Sequence, residues 1–455
     1  MCTIKKTGFL GYLSFNFLMM FSSPTLYAMT PLNDHEMSDA TGQAAFYTTY
    51  TAPSGSGTGA TASDYGFFKL GLTGTVQLNA NIDHLQLGCG GVNGAGCDID
   101  INNLSLSGIS DGGSGLGHYA TTTSRAATDA FLTNPFLQLA IQNPTSLSTR
   151  QVVGVNFGVA SMTGLLTAGT SNSTSLNGAS TSPTGVGINT LSGYMNIASA
   201  TGTASTAPRT MTYSDTNQSI TGNISTTTLG GCSILNPCIP FSTNNYSFNI
   251  GSASVPITTN PTTVNGTRLT SVQLSGTGLV SSLPLNGSMT ATATLLFIPI
   301  PVTLSNVSGN VTNLGVNLTV NEGLSYIHSI PFNNNSLSLS LQSVPLLWPG
   351  SPSNDIAQRG WWLGAGGTIN IGNITPSAQV AITNNVLAQT IPAISTYLTN
   401  NPVNCGLLAT SCLVNAPLNL GNIDLTGTSV NFPLTNLTLS AQTPVPNCYG
   451  GLKFC

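Results

Sequence analysis

What this sequence has least of is charge. Lys and Arg number 9 and Asp and Glu 13 in 455 residues, or 5% of the chain, where a globular protein carries roughly a quarter. No basic run exists beyond Lys5-Lys6, and neutralising a phosphate backbone needs a dense cationic face, so nucleic-acid binding is excluded. Glutamate occurs only at Glu36 and Glu322, and no two carboxylates stand in a setting that suggests a glycosidase pair. Histidine is as scarce: His35, His84, His118 and His328 lie in no nucleophile motif, which leaves the abundant serines without an evident base. No enzyme is expected. Aromatic residues make up 7%, and no aromatic girdles of the kind that flank an outer-membrane barrel are present.

Long apolar runs and helical periodicity are also missing. The most apolar stretch after the first residues, ATATLLFIPIPVTLSN (291–306), is interrupted by Pro299 and Pro301 and reads as an edge strand, not a transmembrane helix. Only NNVLAQTIPAISTYLTNN (384–401) sustains a helical stripe, through Val386, Leu387, Ile391, Ile394 and Leu398, and Pro392 is expected to kink or end it. A short helix before Asn134-Pro135 is the one other candidate.

In place of charge stand Ser, Thr, Asn and 50 Gly. Period-two alternation runs through KLGLTGTVQLNANIDHLQLG, with a slip of phase near Asp83, and through DIDINNLSLSG, NVTNLGVNLTV and NNSLSLSLQSVPLL. Such alternation builds strands with one buried face. The expected fold is all-β with very little helix: an elongated sandwich-like or solenoid-like stack of strands. Two low-complexity segments, TAGTSNSTSLNGASTSPTG and ASATGTASTAPRTMTYSDTNQSITGN, suggest an N-terminal β region over 29–196, a Ser/Thr-rich linker or loop over 197–220 and a C-terminal β region over 221–455.

The first 28 residues read as a secretion signal: Lys5 and Lys6, an apolar Phe9 to Phe21, and Ala28 before the expected cut. Cleavage removes Cys2, one of nine cysteines, and leaves eight as neighbouring pairs: Cys89 and Cys97, Cys232 and Cys238, Cys405 and Cys412, Cys448 and Cys455. In an exported chain this pattern predicts four local disulfides, each stabilising by roughly 2–3 kcal/mol through closure of a short loop.

The first pair brackets LGCGGVNGAGCDIDI. A Walker loop needs a lysine where Cys97-Asp98 stands, and the dinucleotide fingerprint lacks its third glycine, with Asn93 in that place. Zinc sites usually space their cysteines two to four apart, and this pair is eight apart. Calcium is the stronger metal alternative, through Asp83, Asp98, Asp100 and Asn102. Alternation gives the simpler reading, in which Asp98, Asp100 and Asn102 form the solvated face of a strand whose Ile99 and Ile101 are buried. No cofactor is expected. The most distinctive aromatic segment is PLLWPGSPSNDIAQRGWWLGAGG, where Trp348, Arg359, Trp361 and Trp362 could stack against a glycan or partner protein. The competing reading puts Trp361 and Trp362 on opposite strand faces, with one or two of the rings in the core.

MTPLNDHEMSDATGQAAF, GFFKLGLTGTVQLNANIDHLQLGCGGVNGAGCDIDINNLSLSG, NPFLQLAIQNPTSLSTRQVVGVNFG and GINTLSGYM together resemble a family of large surface-associated proteins of Gram-negative bacteria. Members are commonly labelled pilus-system proteins, and some carry a haem-utilisation label. The resemblance covers residues 29–196 best, and the rest follows in style and in the terminal NCYGGLKFC. It implies an exported, envelope-associated β protein at the outer surface, pilus-associated or adhesin-like, whose partners are other envelope or pilus proteins or a host surface. It carries no catalytic residues. A haem role would want an exposed ligand, for which His84 and His118 are the nearby candidates. Two alternatives remain beside this expectation: a haem- or lipid-binding protein with a groove between apolar strand faces, and an outer-membrane β-barrel.

Overall fold

Alternation becomes strand almost wherever it occurs. The computed structural model describes residues 45–53, 65–109, 128–170, 187–225, 238–295, 298–406, 412, 417–442 and 444. The expected signal segment, His35, His118, Cys232, Cys448 and Cys455 lie outside these. The first part of the chain forms β1 (Phe46–Thr51), β2 (Tyr65–Leu72), β3 (Thr75–Leu78), β4 (Ala80–Leu87), β5 (Ile99–Ser107), β6 (Ala130–Gln142), β7 (Gln151–Thr167) and β8 (Ile188–Ile197). The middle forms β9 (Thr201–Ser205), β10 (Arg209–Thr212), α1 (Tyr213–Thr216), β11 (Ile220–Ser225), β12 (Ile239–Ile250), β13 (Ser254–Thr259), β14 (Thr262–Leu269), β15 (Ser271–Val280), β16 (Leu283–Leu295), β17 (Ile298–Thr312) and β18 (Leu314–Gly323). The last part forms β19 (Ser329–Gln342), β20 (Leu346–Leu347), β21 (Ile356–Ala357), β22 (Gly360–Ile369), α2 (Asn384–Asn400), β23 (Val403–Asn404), β24 (Leu418–Asp424) and β25 (Ser429–Thr435). The protein is all-β.

Two sheets make a sandwich. One runs β23-β11-β12-β16-β17-β24, with β10 on β12, and the other runs β25-β18-β15-β13-β9. Their strands alternate cleanly between buried and exposed, as in β13, where Val255, Ile257 and Thr259 point inward and Ser254, Pro256 and Thr258 outward. Each fully buried Val, Ile, Leu or Phe contributes roughly 1.5–3 kcal/mol. Helix α2 borders this interior with Val386, Leu387 and Ile394, beside a small apolar cavity of about 90 Å³. The helix continues through Pro392 instead of ending there. Burial of Ile391, Ile394 and Leu398 on both sides of the proline holds the helical path, because tertiary packing outweighs one lost backbone bond. Pro299 and Pro301 sit in the half of β17 that pairs with β16 alone, because β24 pairs only with Val307–Thr312. That half is a strand edge among the described residues, as a proline-bearing strand requires.

The third sheet has eleven strands in the order β1-β2-β6-β7-β19-β22-β8-β5-β4, with β3 on β6 and β14 on β8. It closes on itself. Long β7 pairs with β19 along one side, and along the other first with β6 and then, at Leu165–Thr167, with β5. Strands β7, β19, β22, β8 and β5 therefore form a ring, in which β22 and β8 run parallel. Residues 130–142 form β6, not a helix before Asn134-Pro135: the left-handed Asn134 (φ 49°) donates its backbone N–H to the Gly74 carbonyl and accepts the Gly74 N–H on its side-chain Oδ1, and Pro135 lies opposite Val159. The pairing of β4 with β5 runs without a register shift through Asp83, so the change of phase there leaves Ile82 exposed while Leu85 and Leu87 pack on the core. The chain changes partner at Asn79, leaving β3, paired with β6, for β4.

Segment 197–220 is not a loop. It carries β9, β10 and α1, each built into a sheet or packed on one. Ser and Thr serve equally well on the solvent side of a strand, so their abundance does not distinguish a linker from an edge. Strand β14 also pairs with β8 across the expected division, and Phe46–Cys455 forms one compact unit.

Candidate functional site

The loop between Cys89 and Cys97 is stapled by their disulfide. A second local bridge joins Cys405 and Cys412, and Cys238 is also disulfide-bonded. Local closure is thus found where both partners are described. Asp98, which ends the first loop, is 1% exposed, so it is not on a solvated face. Its Oδ1 accepts from Arg268 Nε at 3.0 Å and Asn93 Nδ2 at 2.9 Å, and its Oδ2 accepts from the Trp361 backbone N–H at 3.0 Å. The Arg268 guanidinium also donates to the carbonyls of Ala95 and Gly94, and Asn93 donates to the Arg359 carbonyl at 2.9 Å. A methyl group at Gly88 or Gly360 would collide with Asp98 Oδ2, so both approaches require glycine. The loop is a clasp that grips an arginine from β14 and the start of β22.

This arrangement removes the calcium alternative. Both Asp98 oxygens are engaged, Asp83 is exposed on β4, and Asp100 binds His84 Nε2 at 2.9 Å, Gln86 at 3.0 Å and Asn189 at 2.8 Å. Burial of Asp100 opposes its ionisation, but the bonds from Asn189, Gln86 and His84 outweigh it and hold the carboxyl below its ordinary value. No group of three or more His, Cys, Asp or Glu side chains that could hold a metal occurs among the described residues. The buried Ile99 and Ile101 follow the alternation as expected. The opposite face differs because the clasp, not water, covers it at Asp98. Arg268 was missed by the sequence reading. Its signal was available: in a chain this poor in charge, a lone arginine inside an alternating strand requires a carboxylate partner.

The aromatic segment does not form an exposed stacking surface. Trp348 and Trp362 are 2% and 1% exposed and share a cluster with Ala140, Tyr194 and Leu346. Trp361 points to the opposite face, half-buried against the main core, and of the four expected binding residues only Arg359 is exposed. The buried rings satisfy their polar atoms: Trp362 Nε1 donates to Asp355 Oδ1 at 2.8 Å, and Trp348 Nε1 donates to Gln342 Oε1 at 3.4 Å. Burial pushes the Asp355 carboxyl up to about 6, against the stabilising Trp362 bond. Glu322 on β18 is a second buried acid: burial pushes it to about 7, although the Leu437 N–H donates to its Oε2 at 2.9 Å.

The exposed apolar surface lies elsewhere, on one face of the six strands from β1 to β22, open from β1 to Leu341 of β19 and half-buried against the main core at Leu339, Trp361 and Leu363. Paired residues share a face, and the register aligns Tyr50, Phe68, Leu139, Val155, Leu341 and Trp361 in one row. The next row is Thr48, Leu70, Leu137, Phe157, Leu339 and Leu363. Neither row contains a charge. Phe157 is 55% exposed, Leu70 48%, Phe68 and Tyr50 46% each, and Leu341 42%. The Tyr50 and Phe68 rings lie 4.5 Å apart, tilted by 35°. At one margin, β1 has β2 as its sole strand neighbour among the described residues, so its outer edge offers main-chain groups for pairing. Among the described residues, no helix is long and apolar enough to cross a membrane. Neither known protein families, curated proteins nor solved structures match this chain.

Proposed function

We propose that this chain is an exported structural protein of the outer surface, pilus-associated or adhesin-like, that works by associating with other envelope proteins. The observation that carries this reading is the uncharged apolar face open from β1 to β19, bordered by the open edge of β1. A partner strand added to β1 would gain main-chain hydrogen bonds, and its alternate side chains would cover Tyr50, Phe68 and Leu70. An uncharged face selects its partner by shape and apolar contact, consistent with a chain that has little charge for steering. The disulfides at Cys89–Cys97 and Cys405–Cys412 support folding in an oxidising compartment.

The two alternatives gain less support. The cavity between the sandwich sheets holds about 90 Å³, less than the roughly 150 Å³ that accommodates benzene in an engineered cavity, and among the described residues the one potential haem ligand lining it is the buried Met211. His84 is engaged with Asp100. The closed ring has five strands and a parallel pair, whereas bacterial outer-membrane barrels are antiparallel and even-numbered.

The test is surface labelling of intact cells combined with a photo-crosslinking side chain at Phe157 or, as a control, at Leu279, which is 47% exposed on β15 outside this face. An identified envelope protein captured at 157 and not at 279 supports the proposal. Protein inaccessible to the label, or equal capture at both positions, refutes it.

A further inference from the structure

The same six strands have an opposite face, and it is built the other way round. There the register aligns Lys69, Gln138, Asn156, Ser340 and Trp362 in one row, with Phe136, Gly158, Ser338 and Gly364 in the next. The segment between β19 and β22 folds back over these rows through Pro349, Gly350, Ser351 and Asp355. It leaves a chamber of about 230 Å³, lined by Lys69, Phe136, Asn156, Ser338, Ser351 and Asp355 among others. At about 30 Å³ of liquid volume per water, this is room for several waters or one small polar ring. Gly364 keeps the floor bare, since a methyl there would lie 2.7 Å from Asp355 Oδ2 and 2.9 Å from Ser338 Oγ.

The polar groups on this face are not all satisfied. Asn156 is 2% exposed. Its Nδ2 donates to Gln138 Oε1 at 2.9 Å, but its Oδ1 has no partner, and neither does the buried Ser340 Oγ beside it. Both atoms are closed off from water, so the polar groups that a guest meets are those of Lys69, Ser336, Ser338, Ser351 and Asp355, which line the chamber. Charge narrows the choice. The Lys69 ammonium sits 3.8 Å from the Phe136 ring centroid and opposes a cation, while the Asp355 carboxyl opposes an anion. What fits both charges is a neutral molecule rich in hydroxyl groups, which donates to Asp355 and accepts from Lys69 and the serines.

We infer that the chamber between this sheet face and the 349–355 segment is a binding site for an uncharged saccharide unit. It is distinct from the apolar association surface, being on the other side of the sheet, and does not depend on it. Binding is non-covalent, and the unit is either a free monosaccharide or the terminal residue of a glycan.

The chain has three tryptophans, and Trp362 is bonded to Asp355, so indole emission reports on the chamber. The purified full protein is titrated with glucose, galactose, mannose and N-acetylglucosamine and with their methyl glycosides. Glucosamine and glucuronate serve as charged probes, and saturation-transfer NMR is the second readout. Expected is saturable binding of at least one neutral sugar, at least tenfold tighter than either charged probe. The near-isosteric Asp355→Asn should weaken it at least tenfold, as should Ser351→Trp, which fills the chamber from its roof. Equal affinity for sugar and methyl glycoside identifies a glycan terminus, and loss of binding with the methyl group identifies a free monosaccharide. The inference is overturned by absence of saturable binding, by tighter binding of a charged probe, by affinity unchanged in the variants, or by ordered water alone in a sugar-soaked crystal.

Discussion

The sandwich and the β1–β22 sheet are written in the same alternating code and use it in opposite ways. In β12 and β13 the apolar positions face another sheet and are buried, and the polar positions face water. In β1 and β2 the apolar positions Tyr50, Phe68 and Leu70 are about half exposed, while the opposite side carries Lys69, Gln138, Asn156 and Ser340 under a folded-back segment. Alternation therefore tells which residues share a face. It does not tell what covers that face.

The comparison breaks first if the clasp is not a structural anchor for the ring. Arg268→Met leaves Asp98 buried and unpaired, for which about 3–5 kcal/mol of destabilisation is expected, measured by chemical denaturation of the oxidised protein. A loss below about 1 kcal/mol would show that Asp98 gains water or another partner. In the sandwich, Phe248→Ala removes a ring that is 5% exposed and should cost about 3–5 kcal/mol. A minor effect there would mean that the two sheets are not packed face to face.

The pH dependence compares a buried acid in each region. Glu322 protonates at about 7 and Asp355 at about 6 when folded, and both near 4 when unfolded. Between pH 4 and these values the folded chain holds protons that the unfolded chain has released, so stability falls as pH rises. Below pH 4 neither penalty operates. The Glu322 part amounts to at most about 3 kcal/mol. Glu322→Gln should flatten the decline between pH 4 and 7, and Asp355→Asn should flatten it only up to about pH 6, both read from thermal midpoints. Burial of His328 lowers its proton affinity and acts in the opposite direction over the same range. Each carboxyl is therefore read from the difference between variant and parent, and a variant whose pH profile matches the parent's would contradict the burial of that carboxyl. The smallest stability change is expected from Phe157→Ser on the exposed face, within about 0.5 kcal/mol as for surface sites generally, with loss of partner capture. A large destabilisation would mean that Phe157 already packs within the folded chain.

Much of the fold was legible because β structure and its inward faces follow from period two. The staple at Cys89–Cys97 followed from sequence proximity, and Ile99 and Ile101 were placed correctly. What stayed hidden depends on distant partners. Arg268 reaches Asp98 across 170 positions, so nothing local to DIDI predicts that the aspartate is buried. Trp361 and Trp362 were assigned opposite faces by alternation, but which face is covered depends on the 343–357 segment folding back. Pro392 misled because local propensity carries no account of the sheets that α2 packs against. The chamber was invisible for the same reason: Lys69, Asn156, Ser338 and Asp355 come from four separate stretches, aligned only by register.

The five-strand ring sets an order on events during folding. It joins β5, ending at Ser107, to β8 and β7, and it is completed only by β19 and β22, which end at Gln342 and Ile369. A chain delivered from its N-terminus therefore holds one edge of β7 and one of β8 unpaired until β19 and β22 arrive. Whatever shields those edges in the interval, a chaperone or simple haste, governs the yield of native protein more than any single contact in the finished molecule.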